Sequence, residues 1–243
     1  MTIISYNAAT TLSMPNRLFF DWDNTLIHSC DGIFIALEQT FVAMKMTPLT
    51  RTAFSARPPR SIRESFPEIF GHDKWMEAYE YYTQYSEDCH LEHLDKADGV
   101  ESLIAVLATL PIFRAVVSNK TGGTLRKELA HLKWTPYFDK IVGSGDAARD
   151  KPATDLVQYA VGDATFKGNH DDWFVGDSPV DVACALATGC RPILVGNLHP
   201  SFEGQSFAED ILHFKNCHAL ADCLEALSAT MPWSKPVATH NAA

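Results

Sequence analysis

Five short, nearly continuous apolar runs constrain the fold of this chain most. They lie at residues 17–21, 113–119, 140–146, 173–177 and 191–196, and each closes on an acid, an amide or a glycine. A run that is apolar at every position, and not at alternate ones, predicts a parallel strand covered on both faces. Between the later runs the apolar spacing turns helical, at 100–110, at 124–133, from 154 to 159 and onward, and at 180–188. Strands alternating with helices of that length predict an α/β fold built on a doubly wound, Rossmann-like parallel sheet. In such sheets ligands collect at the carboxyl ends of the strands, where these runs place their polar residues.

One stretch breaks the alternation. Residues 30–97 carry helical spacing (Ile33, Leu37, Phe41 and Met44, then Trp75, Tyr79 and Tyr82) and no convincing strand, with Pro58, Pro59 and Pro67 punctuating the middle. The expectation is an inserted, all-helical cap at 30–97, a discontinuous core at 1–29 and 98–230, and a disordered tail at 231–243, where periodicity stops. The aromatic stripe reads as the packing face of the insert. A length of 243 residues with 46% hydrophobic content is enough to bury a sizeable core. The net charge of −10 argues against nucleic acid and anionic membranes as partners, because both are bound by dense basic surfaces. No apolar run approaches the ~20 residues of a membrane helix, and the first sixteen residues lack the basic and apolar regions of a signal peptide. The six cysteines include no C-x-x-C pair and read as reduced core fillers, so a cytosolic protein is expected.

The candidate chemistry sits in four stations. Asp21 and Asp23 stand two apart just after the first run, followed by Asn24 and Thr25. A turn there can aim both carboxylates into one pocket, one to attack phosphorus and help hold a cation, the other to pass a proton. A calcium loop is the rival reading of D-x-D-x-T, but Leu26 and Gly32 stand where an EF-hand needs glycine and glutamate. Ser118 and Asn119 end the second run before a helix opening at Thr121-Gly122-Gly123-Thr124, a setting that suits an anion. Lys151 precedes Pro152 and can place an ammonium on a phosphoryl group. Asp177 ends the fourth run, and Asp181 lies four residues on, after Ser178-Pro179, a cap followed by proline at the first helical position. Oxygen ligands for a hard divalent cation, a hydroxyl and a lysine for an anion, and a carboxylate nucleophile together equip a site for phosphoryl transfer.

In this order the stations resemble the four motifs of the haloacid dehalogenase superfamily, in its phosphoglycolate-phosphatase-like branch with a helical cap. The resemblance spans residues 17 to about 227. It implies that Asp21 becomes an aspartyl phosphate and that Asp23 is general acid and base, its main-chain carbonyl also touching the metal. It further implies that Thr25, Ser118 and the Asn119 amide hold the phosphoryl group, that Lys151 neutralises charge, and that Asp21 and Asp177, supported by Asp181, bind Mg²⁺. The expected function is hydrolysis of a small phosphorylated metabolite, phosphoglycolate-like by analogy. A sugar phosphomutase and a non-catalytic phospho-ligand binder are the alternatives. Asn24 replaces the family's frequent glycine, tolerable because Asn enters left-handed backbone readily, and His28 replaces a frequent aspartate at the cap hinge. His90 and His93 read as surface residues. Arg60 and Arg63, from the arginine cluster 51–63, are the candidates to hold a substrate carboxylate.

Overall fold

The computed structural model describes residues 3–5, 12–57, 60–203 and 211–230. In chain order the strands are β1 (Ile3–Ser5), β2 (Arg17–Phe20), β3 (Ile27–His28), β4 (Asp95–Lys96), β5 (Phe113–Thr121), β6 (Lys140–Ser144), β7 (Asp172–Gly176), β8 (Arg191–Val195) and β9 (Ile211–Phe214). The helices are α1 (Cys30–Ala43), α2 (Arg51–Ser55), α3 (Ile62–Phe70), α4 (Trp75–Cys89), α5 (Val100–Leu107), α6 (Gly122–His131), α7 (Asp155–Val161), α8 (Pro179–Thr188) and α9 (Cys217–Ala229). Seven strands form one sheet in the order β1-β9-β8-β7-β2-β5-β6, and every pair in it is parallel. The chain builds outwards from β2 through β5 to β6, then crosses back to β7 on the other flank of β2. That reversal opens a crevice at the carboxyl end of β2, the place where α/β sheets bind ligands.

The period of two decides which side chain serves which face. Leu18, Phe20, Val116, Trp173 and Val175 join the core under α5, α6 and α9, while Phe19, Ala115, Val117 and Phe174 join a second core under α7 and α8. Both faces are therefore covered, which is why these strands read as unbroken apolar runs. All five sequence-expected strands are present. The edge strand β1 and its inner neighbour β9 add to them; each is short and was not marked by a comparable apolar run.

The insert is helical, as expected, with its own core of Ala36, Leu37, Phe41, Phe66, Phe70, Ala78 and Tyr82. The aromatics of its stripe pack there, Phe41 and Tyr82 in the core and Trp75 and Tyr79 against it, and Phe66 meets Phe70 and Tyr82 edge-on at 4.9 and 5.8 Å between ring centroids. Pro67 sits inside α3, at its sixth residue, without ending it, although it removes one N–H from the helix ladder. One expectation is corrected: the insert does contain a strand. Two-residue β4 pairs antiparallel with β3, Ile27 facing Lys96 and His28 facing Asp95, so the chain enters and leaves the helical layer through one narrow ribbon. Such a short pairing has no hydrophobic period to betray it. The tail at 231–243 lies outside the described residues. No helix among the described residues is long and apolar enough to cross a membrane.

Candidate active site

Four strand ends deliver the site. Asp21 follows β2 directly, Asp177 follows β7, Ser118 and Asn119 lie in β5, and Lys151 lies in the loop after β6. Asp21 donates its own backbone N–H to Val175 O at 2.8 Å, which stitches it to β7 beside Asp177. Asn24 takes φ 62°, the left-handed turn expected of it, and lets the chain fold back from Asp23 towards β3. Asp181 closes the group from the first turn of α8. Its Oδ2 accepts from Ser178 N and Oγ at 3.1 and 2.6 Å in a capping box, which leaves Oδ1 to face Lys151. Gly176 is required here, because a Cβ at that position would overlap the Asp181 carboxylate.

Lys151 is the hub. Its ammonium is 2% exposed and donates to Asp21 Oδ1 at 2.6 Å and Asp181 Oδ1 at 2.7 Å. Asn119 holds the lysine in place by its backbone: Asn119 Nδ2 donates to Lys151 O at 3.0 Å, and Lys151 N donates to Asn119 Oδ1 at 2.8 Å. The side chain of Asn119 thus positions the lysine loop. Ser118 is buried, its Oγ accepting from Lys120 N at 3.2 Å, and Thr25 donates to Asp177 Oδ1 at 3.3 Å.

Three carboxylates meet one ammonium, and the imbalance shows. Oxygens of Asp21, Asp177 and Asp181 lie within 4.8 Å of one another, all three residues buried. Burial pushes the Asp21 carboxyl up to about 6 from 3.8, Lys151 opposing the shift and Asp181 adding to it. Burial, then the charges of Asp181 and Asp21, raise the Asp177 carboxyl well above its ordinary 3.8. Buried acids in excess of their cations, offering only oxygen, fit a hard divalent ion such as Mg²⁺.

Asp23 points elsewhere. Its Oδ1 accepts from Ser29 Oγ and, at 2.7 Å, from Lys120 Nζ, so its side chain stands apart from the three-carboxylate group. Lys120 also meets Glu128 Oε2 at 3.0 Å; Glu128 is fully buried and takes Trp22 Nε1 at 2.5 Å and His90 Nδ1 at 3.0 Å. Burial works against the Lys120 ammonium, but Asp23 and Glu128 outweigh it and raise its pKa. This network was missed from sequence. Its signal was Glu128, an acid on the apolar face Leu125, Leu129, Leu132 of α6. His90, expected at the surface, is buried at the end of α4 and ties the insert to the core through Glu128. Cys30 departs from the core-filler reading too: it is exposed, and its thiol donates to Asn24 Oδ1 at 3.1 Å.

A cavity of about 610 Å³ lies between this floor and the helical insert. His28 and Cys30 border it at the hinge. Arg60 reaches its wall, yet its guanidinium grips Glu68 at 2.7 and 3.0 Å and nears Glu64 at 3.7 Å. Arg63 turns from the cavity to the core loop before Lys151, reaching Ala147 O and Ala148 O at 3.4 Å and Asp150 Oδ1 at 3.5 Å. Both arginines therefore have protein partners.

The chain belongs to the haloacid dehalogenase-like hydrolases, whose family model matches residues 18–195. A match 28% identical over 193 residues, 75% of this chain and 80% of the relative, links it to the phosphoglycolate phosphatase of Pectobacterium atrosepticum. A shorter one, 30% identical over 126 residues, covers 52% of this chain and 57% of a Caldanaerobacter subterraneus protein provisionally named pyrophosphatase PpaX. Among solved structures, a haloacid dehalogenase superfamily hydrolase from Ehrlichia chaffeensis superposes with TM-score 0.59 at 29% identity, over 90% of this chain and all of that one.

Proposed function

We propose that this chain, a hydrolase of phosphate esters, is a Mg²⁺-dependent phosphomonoesterase of the cytosol that acts on a small phosphorylated metabolite through an aspartyl phosphate on Asp21. The observation that carries this reading is the separation of two acids only two residues apart. Asp21 lies among Lys151, Asp177 and Asp181, while Asp23 is drawn off by Ser29 and Lys120. One acid is thereby suited to attack and the other to proton transfer. Thr25, Ser118 and the Asn119 N–H hold the phosphoryl oxygens, and Lys151 neutralises their charge. An oxygen of Asp21 attacks phosphorus in line with the ester oxygen, forming the acyl phosphate as the P–O bond to the alcohol breaks. Asp23, whose two contacts both fall on Oδ1, gives a proton to the departing alcohol from its second oxygen. It then takes a proton from water, which attacks the acyl phosphate, releases phosphate and regenerates Asp21. Asp21 and Asp177, the main-chain carbonyl of Asp23 and the supporting Asp181 would hold Mg²⁺. Such an ion, when bound, offsets phosphate charge that repels an anionic nucleophile.

Phosphoglycolate, the substrate in the relative's name, is the first metabolite to assay. The test is phosphate release from p-nitrophenyl phosphate with Mg²⁺ and with excess chelator. Turnover that stops on chelation, and that calcium restores poorly because its looser shell misplaces the attacking carboxylate, supports the reading. Undiminished turnover in chelator overturns the metal requirement.

A further inference from the structure

The two walls of the cavity differ in chemistry. Its floor is polar: Asp21, Asp23, Ser118, Asn119, Lys151 and Asp177. The wall that the insert supplies is built on Ile33, Leu37, Phe54, Ile62, Phe66 and Ile69. Five of these also pack with the insert's own core, so their positions are set by the fold and their cavity-facing atoms form a fixed apolar surface; Ile33 stands outside that packing. Among the polar side chains of this wall, Arg57 and Arg60 carry charge and the rest, such as Ser65, Thr83 and Ser86, carry hydroxyls. Arg60 is clamped on Glu68, and Arg57 lies near enough to Glu68 to help lower its carboxyl's pKa, after the larger effect of Arg60. Ser65 already donates to Ser61 O at 2.9 Å, and Thr83 contributes a single buried hydroxyl without a partner.

We infer that the alcohol half of the substrate is an apolar group the size of a ring or a short branched chain. The inference rests on the phosphomonoesterase reading and narrows it. A two-carbon acid would leave most of the apolar wall facing water, and for its carboxylate this wall offers only Arg57 and Arg60, both already beside Glu68. A volume of about 610 Å³ is in the range of pockets that enclose much larger ligands. Apolar atoms seated against Ile33, Ile62 and Ile69 gain by leaving water, and each methylene in such a pocket changes kcat/KM by roughly tenfold or more.

The experiment compares benzyl phosphate with glycerol 3-phosphate and phosphoglycolate in the full chain with Mg²⁺. All three release alkyl alcohols, so a preference reports binding of the organic group more than leaving-group reactivity. Benzyl phosphate is expected to exceed both others in kcat/KM by at least about tenfold. Ile33→Asp, which puts a charge into the wall from outside the insert's core, is expected to lower the benzyl-to-glycerol ratio by about fivefold or more. Equal or better use of phosphoglycolate or glycerol 3-phosphate by the unaltered chain overturns the inference and leaves the phosphomonoesterase reading standing. No hydrolysis of any ester overturns both.

Discussion

The floor of the cavity and the helical wall above it hold their charges in opposite ways. In the floor, Lys151 holds Asp21 and Asp181, and Lys120 holds Asp23 and Glu128, at 2.6 to 3.0 Å and with both ammonium groups largely out of water. In the insert, Arg60, Glu64 and Glu68 pair in the open, and its own core is built of Ala, Leu, Phe and Tyr. A buried ion pair that loses one partner leaves a charge in a poor solvent, whereas an exposed pair is replaced by water at little cost. The comparison teaches that the core is intolerant of change because its charges are buried and depend on one another. The wall can vary its surface to suit a substrate without endangering the fold.

The largest effect expected of that contrast falls on Asp21. Asp21→Asn should lower p-nitrophenyl phosphate turnover on the order of 10³-fold or more, as loss of a nucleophile does. Activity near that of the unaltered chain would place the nucleophile elsewhere. Asp23→Asn should cost about 10² to 10⁴-fold while metal binding, read by calorimetry, persists. If instead it abolished metal binding and spared turnover, the two acids would have exchanged roles.

Glu128→Ala probes the floor without touching substrate. It leaves Lys120 with Asp23 alone and orphans His90 and Trp22 Nε1, so urea melts should show a loss of about 3 kcal/mol. Glu68→Ala, its counterpart in the insert, should leave the urea midpoint where it was. Similar losses in both would erase the contrast.

Stability against pH sharpens the same point. The Asp21 carboxyl is raised to about 6 in the fold, above its ordinary 3.8, so metal-free protein favours the protonated acid. The stability this group contributes is complete below 3.8 and is lost as pH rises through about 6. Mg²⁺ binds the ionised acids and competes with protons, so the rise in Tm on adding Mg²⁺ should be greater at about pH 7.5 than at about pH 5. A shift independent of pH would mean that the ion binds away from these carboxylates. Asp177→Asn should remove the Mg²⁺ shift and raise the Tm of the metal-free protein, because it deletes a buried charge.

The smallest effects belong to the arginines. Arg63 is partly exposed and its contacts to the core loop are long, so Arg63→Ala should alter KM by only about two- to fivefold. Arg60→Ala should leave p-nitrophenyl phosphate turnover unchanged. A loss confined to phosphoglycolate would return Arg60 to the carboxylate-holding role expected from its sequence neighbourhood and would count against an apolar substrate.

What the sequence determined by itself was whatever is written in local order. Continuous apolar runs marked β2, β5, β6, β7 and β8, because burial on both faces leaves no polar alternation. The acids at their ends marked the floor, because a strand end is a fixed address and Asp21 and Asp177 sit one residue beyond theirs. Asn24 announced its left-handed turn by residue type alone. The hinge ribbon, the strands β1 and β9 and the Lys120–Glu128–His90 chain were decided only by tertiary structure. β3 and β4 are too short to carry a period, and β1 and β9 pair with each other from opposite ends of the chain. His90 looks like a surface residue until α4 is packed against the core, where Glu128, 38 residues away, gives it a partner. The direction of Asp23 was equally hidden. Two carboxylates two apart carry the same local signal, and their separation comes from Lys151 and Lys120, which are brought from 130 and 97 residues downstream to opposite sides of one turn. Hydrophobic period is a local property that a chain can display along its length; the balance of buried charge is a property of neighbours in space, and only the fold assembles them.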